Sequence, residues 1–171
     1  MFRFRLLAAL AILTGIPVTV SAANWVQKST EAFVCLVPDS SWRVVGTESG
    51  VDITSPSADE DVRLSNDFWS KPLPIGSVAE NAIREAMASG ELTGATTEAQ
   101  GAPARSATEL VQRFNFTGVH RWFGGVQPIR GYMIVTTSRA GWQVSWLYAP
   151  AVKFQTDVSM LEFIRTNITP Y

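Results

Sequence analysis

The chain has 171 residues, 46% of them hydrophobic and 17% charged, with a formal net charge of −1. Such a composition excludes a disordered chain, and the balanced charge leaves no basic footprint for nucleic acid. One cysteine and one histidine rule out an internal disulfide and leave no Cys/His set for a standard zinc or haem site.

The first residues read as an export signal. Arg3 and Arg5 form a positive n-region, Leu6 to Val20 is apolar, and Ser21-Ala22-Ala23 are small. About 15 apolar residues suit a signal h-region and fall short of the roughly 20 that span a membrane. Val20-Ser21-Ala22 places cleavage after Ala22, so residues 1–22 are expected to leave as a signal peptide. The remaining 149, residues 23–171, are expected to form a single domain. They carry 12 basic and 15 acidic side chains, a net of −3. No later segment reaches membrane-spanning length, so the mature form is expected to be soluble and periplasmic or secreted.

Along the mature chain, residues 24–30 read as a lead-in and Phe33 to Val37 as a compact apolar strand. Pro38-Asp39-Ser40-Ser41 is turn chemistry. Trp42 to Val45 and Val51 to Thr54 flank a hairpin connection, residues 46–50, and Asp61 to Trp69 suits another strand. Ser77 to Ala88 reads as a helix with a Ser77/Glu80 capping box, a buried face of Ala79, Ile83, Ala86 and Met87, and Gly90 at its end. Residues 91–107 suit a loop or a poorly paired edge strand. Next comes a strand with Leu110, Phe114 and Phe116 on one side and Arg113, Asn115 and Thr117 on the other. Tyr132 to Thr137 and Trp142 to Tyr148 form a hairpin around Ser138 to Gly141. Trp142, Val144, Trp146 and Tyr148 make the apolar face of its second strand, with Gln143 and Ser145 on a mostly polar one. Pro150 stops that strand, and a closing helix runs from Phe154 to Asn167 with Val158, Leu161, Ile164 and Ile168 spaced for burial. Strands in runs, rather than alternating with helices, predict an α+β fold: an antiparallel sheet with helices packed on it.

The pattern Phe33-x-Cys35-x-Val37-Pro38-x-x-x-Trp42, the final hairpin with Ala149-Pro150, and Phe154 with its amphipathic helix resemble the PsbP-like superfamily. That superfamily includes extrinsic subunits of photosystem II and many small exported bacterial proteins. The resemblance spans most of residues 31–168. It implies a central antiparallel sheet covered by helices on both faces, an α/β/α sandwich. It also implies an accessory, partner-binding role rather than catalysis. No functional motif matches position by position, so no ligand residue is carried over.

Chemistry is sparse. There is no G-x-S-x-G elbow, H-E-x-x-H, dinucleotide fingerprint or phosphate loop, and no cofactor is expected. Cys35, inside an apolar strand, reads as a buried small hydrophobe. Asp59-Glu60-Asp61, with Asp52 and Asp67 nearby, offers oxygens for calcium. Arg63 and Leu64, however, fall where an EF-hand needs a ligand and a glycine; a solvated acidic loop is the expected state. The segment His120-Arg121-Trp122-Phe123 before Gly124-Gly125 is the most unusual. Arg and Trp are frequent interface anchors, which makes His120, Arg121, Trp122 and Phe123 a candidate contact surface. The plain alternative is a hairpin whose aromatics cap the core.

The sequence thus favours an exported, non-enzymatic accessory domain that binds an envelope protein or complex and no nucleic acid. A small-ligand or lipid carrier using aromatic-lined space between sheet and helix is the alternative. A hydrolase around His120 or the acidic cluster comes third.

Overall fold

A computed structural model of the chain describes residues 25–67, 73–122 and 125–171. The expected signal, residues 1–22, lies outside them, as do Phe123 and the end of the strand expected to reach Trp69.

The first strands are local. β1 (Val26–Ser29) forms where a lead-in was expected, because its backbone finds an antiparallel partner in β2 (Phe33–Val37). Phe33, Cys35 and Val37 are buried at alternate positions, as period-two patterning requires. The following turn is held by Asp39, whose Oδ1 accepts from the Ser41 amide at 2.7 Å. β3 (Arg43–Gly46), β4 (Gly50–Thr54) and β5 (Asp61–Asp67) are antiparallel neighbours.

Helix α1 (Ile75–Ala88) starts two residues before Ser77. Pro74 at its N-cap, with φ −55°, sets the entry, and no side chain caps it. Ser77 therefore sits in the first turn and the expected capping box does not form. Val78, Ala79, Ile83 and Ala86 are buried, while Met87 stays 38% exposed. Gly90, at φ +80°, ends the helix in the left-handed conformation that favours glycine.

Three 14-residue strands follow: β6 (Leu92–Arg105), β7 (Glu109–Trp122) and β8 (Gly125–Ser138). β6 is an edge strand with register shifts between Thr93 and Thr96 and between Gln100 and Ala104. On β7, Phe114 and Phe116 are buried while Arg113, Asn115 and Thr117 are exposed. β8 begins well before Tyr132, where Pro128 and Gly131 disguise it. Gly131 pairs with Phe116 across the sheet, and a Cβ there would stand 2.4 Å from the Leu147 carbonyl oxygen and 2.5 Å from Phe116 Cζ. Gly131→Ala is therefore expected to lower stability by about 1–3 kcal/mol, read as a shift in the urea midpoint. An unchanged midpoint would show that the Leu147 carbonyl and the Phe116 ring both give way freely.

β9 (Gly141–Pro150) runs between β5 and β8, and the large sheet has the order β3-β4-β5-β9-β8-β7-β6. Its face opposite the tryptophans is not mostly polar: Ser145 is buried, and Leu147 and Ala149 are core residues. The central position of β9 covers both of its sides. Helix α2 (Phe154–Thr166) follows Pro150 and buries Leu161 and Ile164. β10 (Thr169–Pro170) then joins β2 to complete a three-stranded sheet in the order β1-β2-β10.

Two cores result, one on each face of the large sheet. The first joins β2, Trp42, Val51, Ile53, Val62, Leu147 and α2. The second joins α1 to Phe114, Phe116, Met133, Trp146 and Tyr148. The fold is α+β, with antiparallel sheets and one helix on each face, as expected. Cys35 is buried and free. Among the described residues, no helix is long and apolar enough to cross a membrane.

Candidate functional site

Strand register assembles a buried polar cluster beside α1. Asp61 and Arg63, two apart on β5, share a face and stand opposite Tyr148 and Trp146 of β9. Asp52 of β4 stands opposite Arg63. Glu91 enters just past Gly90, where its carbonyl accepts from the Arg121 amide at 3.1 Å. One step further, Leu92 pairs with His120 of β7.

The Arg63 guanidinium is the hub. Its Nε donates to Asp52. Nη1 donates to Glu91 Oε2 at 3.2 Å, and Nη2 donates to Asp61 Oδ2 at 3.2 Å and Glu91 Oε1 at 3.3 Å. Its flat face lies 4.8 Å from the Trp146 ring centroid, within cation–π range. Tyr148 Oη donates to Glu91 Oε1 at 2.9 Å and also lies 3.4 Å from Asp61 Oδ2 and from His120 Nε2. The His120 and Tyr148 rings meet edge to face, 5.3 Å apart.

Burial and charge set the protonation states. Burial pushes the Asp61 carboxyl up to about 7, against the pull of Arg63. Burial opposes the Arg63 charge, but Asp61, Glu91 and Asp52 outweigh it and hold the guanidinium protonated. Burial, then Asp61 and Glu91, raise the Tyr148 phenol well above its ordinary value. Burial lowers His120, with Glu91 and Asp59 pulling weakly the other way. A protonated phenol is a poor nucleophile, and the donors of Arg63 are largely committed to carboxylates. The perturbed Asp61 belongs to an ion-pair network, and such networks shift pKa values on structural grounds alone.

A cleft of about 360 Å³ opens beside this cluster, between the C-terminal half of α1 and strands β4, β5 and β9. Trp142, Val144 and Trp146 floor it, Asp52, Arg63 and Glu91 form its polar side, and Glu85 stands on the helix wall.

The structure places the sequence candidates as follows. His120 is 7% exposed and turned into the cluster, away from any surface. Arg121, the next residue, is exposed. Trp122 ends β7, paired with Gly125; Phe123 lies outside the described residues. The three consecutive acids are not a solvated loop: Asp59, Glu60 and Asp61 are 7%, 8% and 4% exposed. They also diverge. Asp59 pairs with Lys153 at 3.2 Å, Glu60 faces Asp157 of α2, and Asp61 faces Arg63. Among the described residues, no group of three or more His, Cys, Asp or Glu side chains is arranged for a metal ion. Sequence reasoning missed Arg63, Glu91 and Tyr148 as partners. An Asp-x-Arg pair in a strand, placing opposite charges on one face, was the available signal.

With this geometry in hand, comparison with known proteins is informative at the level of fold. No protein-family model and no curated protein matches the chain. Among solved structures, the solution structure of cyanobacterial PsbP (CyanoP) from Synechocystis sp. PCC 6803 is similar, with a TM-score of 0.55. It shares 15% identity over 92% of this chain and 98% of that one. The fold is PsbP-like. The Ran-binding protein Mog1p of Saccharomyces cerevisiae aligns with a TM-score of 0.48 and 10% identity, over 86% of this chain and 96% of that one. LpqN of Mycobacterium tuberculosis, involved in cell envelope biogenesis, aligns with a TM-score of 0.41 and 15% identity, over 81% and 82%.

Proposed function

We propose that the protein is an exported, non-enzymatic binding domain that engages an envelope protein or complex. Residues 1–22 serve as its signal peptide and residues 23–171 as the working domain. The observation that carries this reading is the cleft beside α1. It is open and partly aromatic, and its one guanidinium is neutralised by Asp52, Asp61 and Glu91. Such a wall can hold a ligand group, while the donors of Arg63 are committed to carboxylates rather than set against a reacting bond. The PsbP-like fold adds compatibility only, since one fold hosts many functions. The end of the β7–β8 hairpin is a second contact region, in which Arg121 offers the surface and His120 ties the strand to the buried cluster.

A small-ligand carrier is the second reading, favoured by the cleft volume, which lies within the 300–1,000 Å³ typical of ligand pockets. Native mass spectrometry of the protein purified gently from its own envelope tests both. A species 22 residues shorter, carrying the mass of a second protein, is the expected result. An added mass of roughly a few hundred daltons, a typical ligand mass for such a pocket, would move the assignment to a carrier. A bare monomer with no partner after crosslinking in intact cells would overturn the binding-domain reading.

A further inference from the structure

We infer that the cleft beside α1 receives the cationic side chain, arginine or lysine, of the partner protein. The inference rests on the binding-domain reading above and concerns what that domain recognises.

Charge is the first argument. Three carboxylates, Asp52, Glu85 and Glu91, line the cleft against one guanidinium, Arg63. The donors of Arg63 are taken up by Asp52, Asp61 and Glu91, so it offers little to an anionic ligand. Glu85 is exposed on the outer turn of α1 and has no ion-pair partner among the described residues. Asp52 gives Oδ1 to Arg63 and keeps its side chain 30% exposed. The cleft therefore presents unspent negative charge.

The floor is the second argument. Trp142 is partly exposed and lines the cleft together with Trp146. Trp146 already carries a guanidinium on its ring, that of Arg63. An indole face attracts ammonium and guanidinium groups, and nearby carboxylates add a Coulombic pull of the same sign. An apolar ligand would instead strip water from Asp52 and Glu85 without compensation. The volume accepts one extended side chain and its head group, so the partner is read through a single protruding residue.

The test uses the isotope-labelled full chain and two short peptides, one with a central arginine and one with citrulline in its place. Citrulline keeps the shape of the side chain, removes its charge and exchanges one NH2 donor for a carbonyl acceptor. The arginine peptide is expected to shift the indole N–H signal of Trp142 saturably, with binding that weakens as salt rises. The citrulline peptide should bind about tenfold more weakly, a difference of about 1.4 kcal/mol. Glu85→Gln, a surface change outside both cores, should weaken the arginine peptide several-fold at an unchanged melting temperature. Equal binding of the two peptides, or no shift by about 10 mM, would overturn the inference. So would free arginine amide binding as tightly as the peptide, since the cleft would then serve small cations. Crosslinking in cells separates the two levels. A partner kept undiminished by Glu85→Gln sinks the cleft assignment and spares the binding-domain reading. An absent partner sinks the reading itself.

Discussion

Arg63→Leu is expected to cost about 3–5 kcal/mol, the range for removing one member of a buried ion-pair network. The arginine holds Asp52, Asp61 and Glu91 together. Without it, Asp61, with a side chain only 6% exposed, keeps a desolvated carboxyl facing two others. The deficit should shrink in mild acid, because protonation removes the repulsion. Urea unfolding followed by tryptophan fluorescence, at about pH 5 and about pH 8, measures both effects. A loss below about 1 kcal/mol at the higher pH would mean the cluster behaves as an exposed surface network. Arg63→Lys should recover only part of the loss, because one ammonium cannot span three carboxylates as the guanidinium fork does.

Stability is expected to decline as pH rises from about 4 to about 8, by several kcal/mol. Glu60 is pushed from 4.5 up to about 7, by burial first and then by the facing Asp157 carboxyl, with Asp59 adding repulsion and Lys153 relieving it. Asp61 is pushed from 3.8 up to about 7 by burial, with Asp52 and Glu91 adding repulsion and Arg63 relieving it. Both groups bind a proton more tightly folded than unfolded. Their contribution is therefore complete below the unfolded pKa values and is lost as pH passes through about 7. Each pKa unit is worth about 1.4 kcal/mol. His120 works the other way: lowered by burial, it favours the fold as pH rises to its ordinary value. One histidine against two large carboxyl shifts leaves the decline dominant. Glu60→Gln and Asp61→Asn should each flatten the profile. A melting temperature that is constant or rises from pH 5 to pH 8 would show that both carboxyls titrate normally.

Much of the fold was legible because it is written in alternation. Phe33–Val37, Phe114 with Phe116, and the Trp142-to-Tyr148 face each placed a strand and its buried side. Leu161 and Ile164 placed the last helix. Failures came where a long-range partner overrode local pattern. Residues 26–29 are polar enough to look like a lead-in and become β1 because β2 needs a neighbour. Ser145 and Gln143 suggested a wet face that the central position of β9 covers. The candidate site was less legible. His120 was singled out as part of a contact surface, whereas the structure buries it against Tyr148, 28 positions away in sequence. The acids at 59–61 were read as one solvated group. Only Asp61 lies in β5, while Asp59 and Glu60 precede it in the connection from β4, so the three side chains meet different partners rather than one another.

The two ends of the large sheet remain to be considered. β3 is four residues long, and β6 is interrupted twice, with Gly94 and Gly101 both at positive φ and Pro103 near its end. Interrupted or very short borders deny a visiting strand a continuous row of backbone donors and acceptors. Pairing of a further strand along either of these two borders is thereby disfavoured, between copies of the chain as much as with another protein.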